Sequence, residues 1–333
     1  MRIRPRLTLP AAALLAAGTV LTVTATAIGT PAAAPAARPS PTRGIDVSTA
    51  AQLKAALAAA EPGDTIQLAD GTYNGNFTAS AAGTAAARIT LAGSSKAVLK
   101  AGGGYGLHLD GASYWTVRGI SVTGGQKGIV TDAANGVVID SVTVHDLDME
   151  GVHFRKSSKD GVIKNSTIRD TGKNGRGMGE GIYVGSAGGT DDKSDNVRIV
   201  GNTIGPGVGG ENIDIKEGTT GAKISGNSFD GSGLTGAHFD DSWVDIKGNK
   251  VVVENNTGKH TTNNGYETHS PQSGWGCGTV FRGNKSDLSG ATGSGRYGFN
   301  VTRYDPSGCP VTIAGDNTVT GGRGIANPGI PVG

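Results

Sequence analysis

EGVHFR (150–155), EGIYVG (180–185), ENIDIK (211–216) and SWVDIK (242–247) are four versions of one hexamer. Places three and five are apolar and places four and six are mostly polar, the alternation of a strand with one buried face. The hexamer recurs outward in both directions, as KGIVTD (127–132) and YGLHLD (105–110), and as NGYETH (264–269) and YGFNVT (297–302). Steps between successive first residues are 22, 23, 30, 31, 31, 22 and 33, a coil of about 22 residues lengthened by loops. A second ladder runs between the hexamers, with Asn202, Asn227, Asn256 and Asn284 in register beside glycine. Asparagine tolerates left-handed backbone, and stacked asparagines hydrogen-bond along a solenoid axis, so this column reads as one repeated structural corner. Short strands with Gly and Asn turns also suit a sandwich or propeller, but loop insertions that leave both ladders in register favour stacked coils. The expected fold is all-β: a right-handed single-stranded parallel β-helix over residues 44–333.

The amino-terminal region departs from this pattern. Residues 1–30 combine Arg2, Arg4 and Arg6 with an apolar run and small residues, which reads as a secretory signal and predicts a secreted, extracellular protein. The run is too short and too interrupted for a membrane anchor. Residues 31–43 are rich in Ala and Pro and too poor in large apolar groups to pack. Next, VSTAAQLKAALAAA offers Ser48 or Thr49 as an N-cap before an apolar helical stripe, a helix suited to capping the open end of the core. Gly at 57 of 333 residues and aromatics at 5% disfavour an aromatic-rich globular core. A formal charge of +2 without a basic run argues against a nucleic-acid partner. Cys277 and Cys309 each precede a corner glycine (Gly283, Gly315) by six residues, so stacking places them on adjacent coils, where an exported chain keeps a disulfide.

Stacking turns the polar places into columns. Place four reads His108, Val130, His153, Tyr183, Asp214, Asp245, Glu267, Asn300, and place six reads Asp110, Asp132, Arg155, Gly185, Lys216, Lys247, His269, Thr302. Place one adds a file of Glu150, Glu180 and Glu211, expected to be exposed because burying unpaired carboxylates is costly. Glycine at place two is expected to turn a corner there. The columns suit either a surface salt-bridge network or a site in which glutamates bind a divalent cation and lysines address an acidic substrate. Gly185 favours the second, as a gap beside Lys216 that a sugar could enter. His153, Arg155, Asp245, Glu267 and His269 are candidate substrate contacts, as is His238 in the loop 231–241. Tyr266 and Trp275 are candidate stacking platforms for a sugar ring, and Trp275 equally suits packing against the disulfide.

ENIDIK, in an exported parallel β-helix, resembles the calcium-dependent polysaccharide lyases that include chondroitinase B and alginate lyases. The resemblance implies cleavage of an acidic, uronic-acid-containing polysaccharide by β-elimination, with Glu211 and Glu180 as Ca2+ ligands, Lys216 as base and Lys247 at the acid position. Where that family has a second glutamate this chain has Gly209, and its arginine is replaced by Lys247. The β-helix pectate lyases, with a lysine base and aspartate ligands, match Lys216, Asp214 and Asp245 as well. Tyr183 is a further candidate donor to the leaving oxygen.

The rival readings are a glycoside hydrolase of polygalacturonase type, an epimerase and a non-catalytic carbohydrate-binding solenoid. Asn212-Ile213-Asp214 and Asp240-Asp241 meet part of the polygalacturonase pattern, but Gly-His-Gly and Arg-x-Lys are missing. A monomer is expected.

Overall fold

The computed structural model describes residues 43–176, 178–236 and 242–333. The signal segment, the leader and the loop residues His238, Asp240 and Asp241 lie outside the described residues.

The chain winds as a right-handed parallel solenoid of about 10 turns. Among the described residues the strands sort into three parallel sheets of 11, 10 and 10 strands, and successive coils add one strand to each sheet. The hexamers form one sheet in the expected register: Tyr183 pairs with Asp214, Asp214 with Asp245, and Asp245 with Glu267. Place three points inward, stacking Val152, Ile182, Ile213, Val244, Tyr266 and Phe299, all fully buried. Like shapes therefore lie on like shapes, and the Tyr266 and Phe299 rings stack with centroids 5.2 Å apart. Tyr266 is thus a core residue rather than a sugar platform.

Glycine at place two serves close approach, not a corner. Gly181 has no positive φ, yet a Cβ there would lie 2.6 Å from both the Asn212 carbonyl oxygen on the next coil and an Ile204 methyl. A side chain at that point would push the coils apart.

The asparagine column is a continuous hydrogen-bonded ladder, and it extends one coil beyond the expected four. Each Nδ2 donates to the next Oδ1, from Asn202 through Asn227, Asn256 and Asn284 to Asn317, at 2.9–3.0 Å. Each Nδ2 also donates to a backbone carbonyl at the turn, and each Oδ1 accepts from a backbone N–H of the preceding coil. Buried corner groups that β-pairing leaves unmet are satisfied in this way. At the amino-terminal end the helix Ala50–Ala58 starts at Thr49, whose side chain and Gln52 form a capping box, and buries Leu53 and Leu57 over the core. Cys277 and Cys309 are joined, with Cα atoms 4.6 Å apart.

Asn256→Ala removes a 2.9 Å bond to Asn284 and the acceptor for the Asn227 amide, and strands the Ile224 carbonyl. It is expected to cost about 3 kcal/mol, since several buried groups lose partners together. Urea unfolding of the variant checks this; a loss below about 1 kcal/mol contradicts it.

Candidate active site

The outer face of the hexamer sheet is not open. Tyr183, Asp214 and Asp245 are all buried, because loops leaving and re-entering the coils stand around them. The result is a cleft of about 650 Å³. One end carries Met149 and Met178, the other Ser270, Pro271, Thr302 and Arg303. Glu150, Glu180, Tyr183, Glu211, Asp214, Lys216, Asp245, Lys247 and His269 line it between these ends.

Asp214 is its electrostatic centre. Lys216 Nζ lies 2.7 Å from Asp214 Oδ2, and Lys247 Nζ donates to both Asp214 oxygens at 3.1 Å. Lys247 also meets Asp245 at 2.5 Å, and Asp245 accepts from His269 Nδ1 at 2.7 Å. Two lysines one coil apart are thus held together by the carboxylate between them. Burial works against the Lys247 charge, but Asp214, Asp245 and Glu211 outweigh it and hold the ammonium well above the ordinary lysine range. Lys216 Nζ lies 5.1 Å from the centroid of the Tyr183 ring. Burial, then the charges of Asp214 and Glu180, push the Tyr183 phenol upward, so it stays protonated.

The glutamate file is buried, not exposed as expected, and its cost is met differently on each coil. Glu150 pairs with Lys127 at 3.0 Å. Among the described residues Glu180 and Glu211 form no ion pair. Burial, with the neighbouring charges of Asp214 and Glu150, pushes the Glu180 carboxyl up to about 7, and burial with Asp214 and Asp245 raises Glu211 well above the carboxylate range. Oxygens of Glu180, Glu211 and Asp214 lie within 4.8 Å of one another. An all-carboxylate set with two uncompensated members fits a hard divalent cation.

Three expected substrate contacts are placed elsewhere. His153 is buried behind Tyr183, edge to face with centroids 4.6 Å apart. Its Nε2 donates to the Gly185 carbonyl at 2.9 Å and its Nδ1 accepts from Lys127 at 3.1 Å. Arg155 is committed to Asp132 and lies over the Tyr105 ring, away from the cleft lining. Glu267 is buried, accepting from Asn300 at 3.0 Å and facing His269 Nε2 at 3.5 Å. Gly185 leaves no space for a sugar. Its φ of +94° demands glycine, and a Cβ there would meet Thr219 at 2.7 Å and Lys216 Cβ at 3.0 Å. The Trp275 ring carries Lys193 Nζ 4.9 Å from its centroid. Met149, Met178, Pro271 and Arg303 were not readable as cleft residues, since they lie in loops with no periodicity. Lys127 had one signal: it shares place one with Glu150 on the neighbouring coil.

Burial, then the Lys127 charge, lowers His153 to about 4. Its folded pKa is depressed, so the unfolded chain binds the extra proton and the stability contribution present above about pH 6.5 is lost as pH falls towards 4. Relative to His153→Gln, the native chain is expected to lose about 3 kcal/mol more across that window. Parallel curves from unfolding at pH 4.5 and 7.5 would contradict the assignment.

The family model described as "Right handed beta helix region" matches residues 105–273. No curated protein matches. Among solved structures, the alginate lyase from Paenibacillus sp. str. FPU-7 is 38% identical, with a TM-score of 0.76, covering 87% of this chain and 97% of its own. Pectate lyase Pel9A (16% identity, TM-score 0.62, 84% and 79% covered) and the GH136 lacto-N-biosidase from Eubacterium ramulus (14%, 0.59, 86% and 65%) share the fold. A repeat in register, a core of stacked like residues and a relative matched over nearly its whole length agree: this chain belongs to the right-handed parallel β-helix family, as a relative of the Paenibacillus alginate lyase.

Proposed function

We propose that the chain is an exported, monomeric polysaccharide lyase that cleaves an acidic, uronic-acid-containing polymer by β-elimination, with alginate the first substrate to test. The observation that carries this reading is the meeting of Tyr183, Lys216 and Lys247 around Asp214 in one cleft. The 38% identity to an alginate lyase supports it. The likeness to a lacto-N-biosidase is one of fold at 14% identity and lends hydrolysis no weight. Export rests on the amino-terminal pattern. Among the described residues no helix is long and apolar enough to cross a membrane.

In such an elimination a base takes the C5 proton of a uronate, the C4–O bond breaks, the leaving oxygen gains a proton and a C4=C5 double bond remains. Lys216 is the base. Because Lys247 holds both oxygens of Asp214, Lys216 can exchange its proton without leaving a buried carboxylate unpaired. Tyr183, kept protonated, donates to the leaving oxygen. Lys247 remains a fixed cation facing the substrate carboxylate, and Asp245 and His269 contact the sugar beside it. Glu180, Glu211 and Asp214 would hold a calcium ion, which when bound neutralises the uronate carboxylate and acidifies the C5 proton.

The mature protein is to be incubated with alginate, pectate, glucuronan and dermatan sulfate, with calcium or chelator, following the ultraviolet absorbance of unsaturated products. Absorbance is expected with alginate, and Lys216→Ala and Tyr183→Phe are expected to lose about 100-fold or more in kcat. Reducing ends without absorbance mean hydrolysis, and silence on all four polymers means a binding module. Separately, calcium is expected to raise the melting temperature of the native chain but not of Glu180→Gln/Glu211→Gln; equal shifts would remove the metal from the account.

A further inference from the structure

Among the described residues four cationic side chains line the cleft: Lys216, Lys247, His269 and Arg303. Three are already neutralised within the protein, the lysines on Asp214 and His269 on Asp245. Arg303 is different. It is exposed, at the end of the wall built by Ser270, Pro271 and Thr302. Its one hydrogen bond is from Nη1 to the Ser270 carbonyl at 3.1 Å, and among the described residues no carboxylate comes within ion-pair distance of it. A planar guanidinium with most donors unused fits a carboxylate in two-pronged fashion.

The fold fixes how far this group stands from the reacting centre. Asp214, Asp245, Glu267 and Asn300 are successive register partners, so the Arg303 backbone, just beyond Asn300, lies three coils from Lys216, while its guanidinium reaches back to Ser270 on the Glu267 coil, two coils away. At ~4.8 Å per coil that places the guanidinium roughly 10–14 Å along the cleft. A polyuronate carries one carboxylate per sugar, and in an extended chain each sugar advances by a comparable step.

The geometry points to a distal carboxylate subsite at Arg303, which binds the uronate of a sugar two to three units from the reacting one and makes turnover depend on chain length. This rests on the lyase reading above, but it concerns a residue with no part in the chemistry.

The test compares the native enzyme, Arg303→Gln and Arg303→Lys on trimers to hexamers of alginate, with melting temperatures as a check on folding. For Arg303→Gln, kcat/KM is expected to fall about tenfold on the hexamer, through KM, and by no more than roughly twofold on the trimer, with Arg303→Lys between. Equal loss at every length, or no loss on the hexamer, overturns the subsite. Calorimetric binding of the uncleaved hexamer to Lys216→Ala, with and without Arg303→Gln, reads the same contact without catalysis. A tenfold weaker Kd supports the subsite and an unchanged Kd overturns it, even if the native chain releases no unsaturated product and the lyase reading fails.

Discussion

Backbone hydrogen bonding of each coil to the next, in parallel and in one register, is the constraint from which the other features descend. It sets a step of ~4.8 Å between equivalent residues. Two places cannot tolerate the default solution. At place two a Cβ would strike the next coil, so Gly181 stands there. At the corner, where β-pairing lapses, Asn202 to Asn317 restore the missing donors and acceptors by bonding to one another and to the backbone. The helix Ala50–Ala58 covers the first coil, whose core would otherwise meet water.

The same step that stacks apolar groups favourably stacks charges unfavourably. Lys216 over Lys247 and Asp214 over Asp245 would each be repulsive alone. Offsetting the acids by two residues from the bases lets each lysine reach an aspartate, and Asp214 serves both lysines. Glu180 and Glu211 have no such partner among the described residues, and their carboxyls are displaced upward in consequence. Residual imbalance of this kind on a solenoid face marks where an external charge, a cation or a proton, completes the site.

The cleft itself comes from the departures from regularity. Steps of 30 to 33 residues insert loops beyond the basic coil, and two of these bring Met178 and Pro271 to the hexamer sheet, where Met149 and Arg303 join them from the segments just before and just after a hexamer. The disulfide Cys277–Cys309 ties the segments that follow Pro271 and Arg303, so two loops from successive coils form one wall. A periodic scaffold thus carries an aperiodic rim, and the rim distinguishes one end of the cleft from the other.

What the sequence by itself determined is everything that follows from period: the coil, the register of Tyr183, Asp214 and Asp245, the asparagine ladder, the disulfide and the gathering of Lys216 and Lys247. Each is a relation between residues at equivalent places, and a repeat states such relations directly. Only the tertiary structure decided depth and partnership. The glutamate file looked exposed and is buried, His153 lies behind Tyr183, Arg155 is claimed by Asp132, and Gly185 admits Lys216 rather than a sugar. Those outcomes depend on where loops of unequal length fold back and which side chain reaches a shared neighbour first, and alternation along a strand carries no information about either.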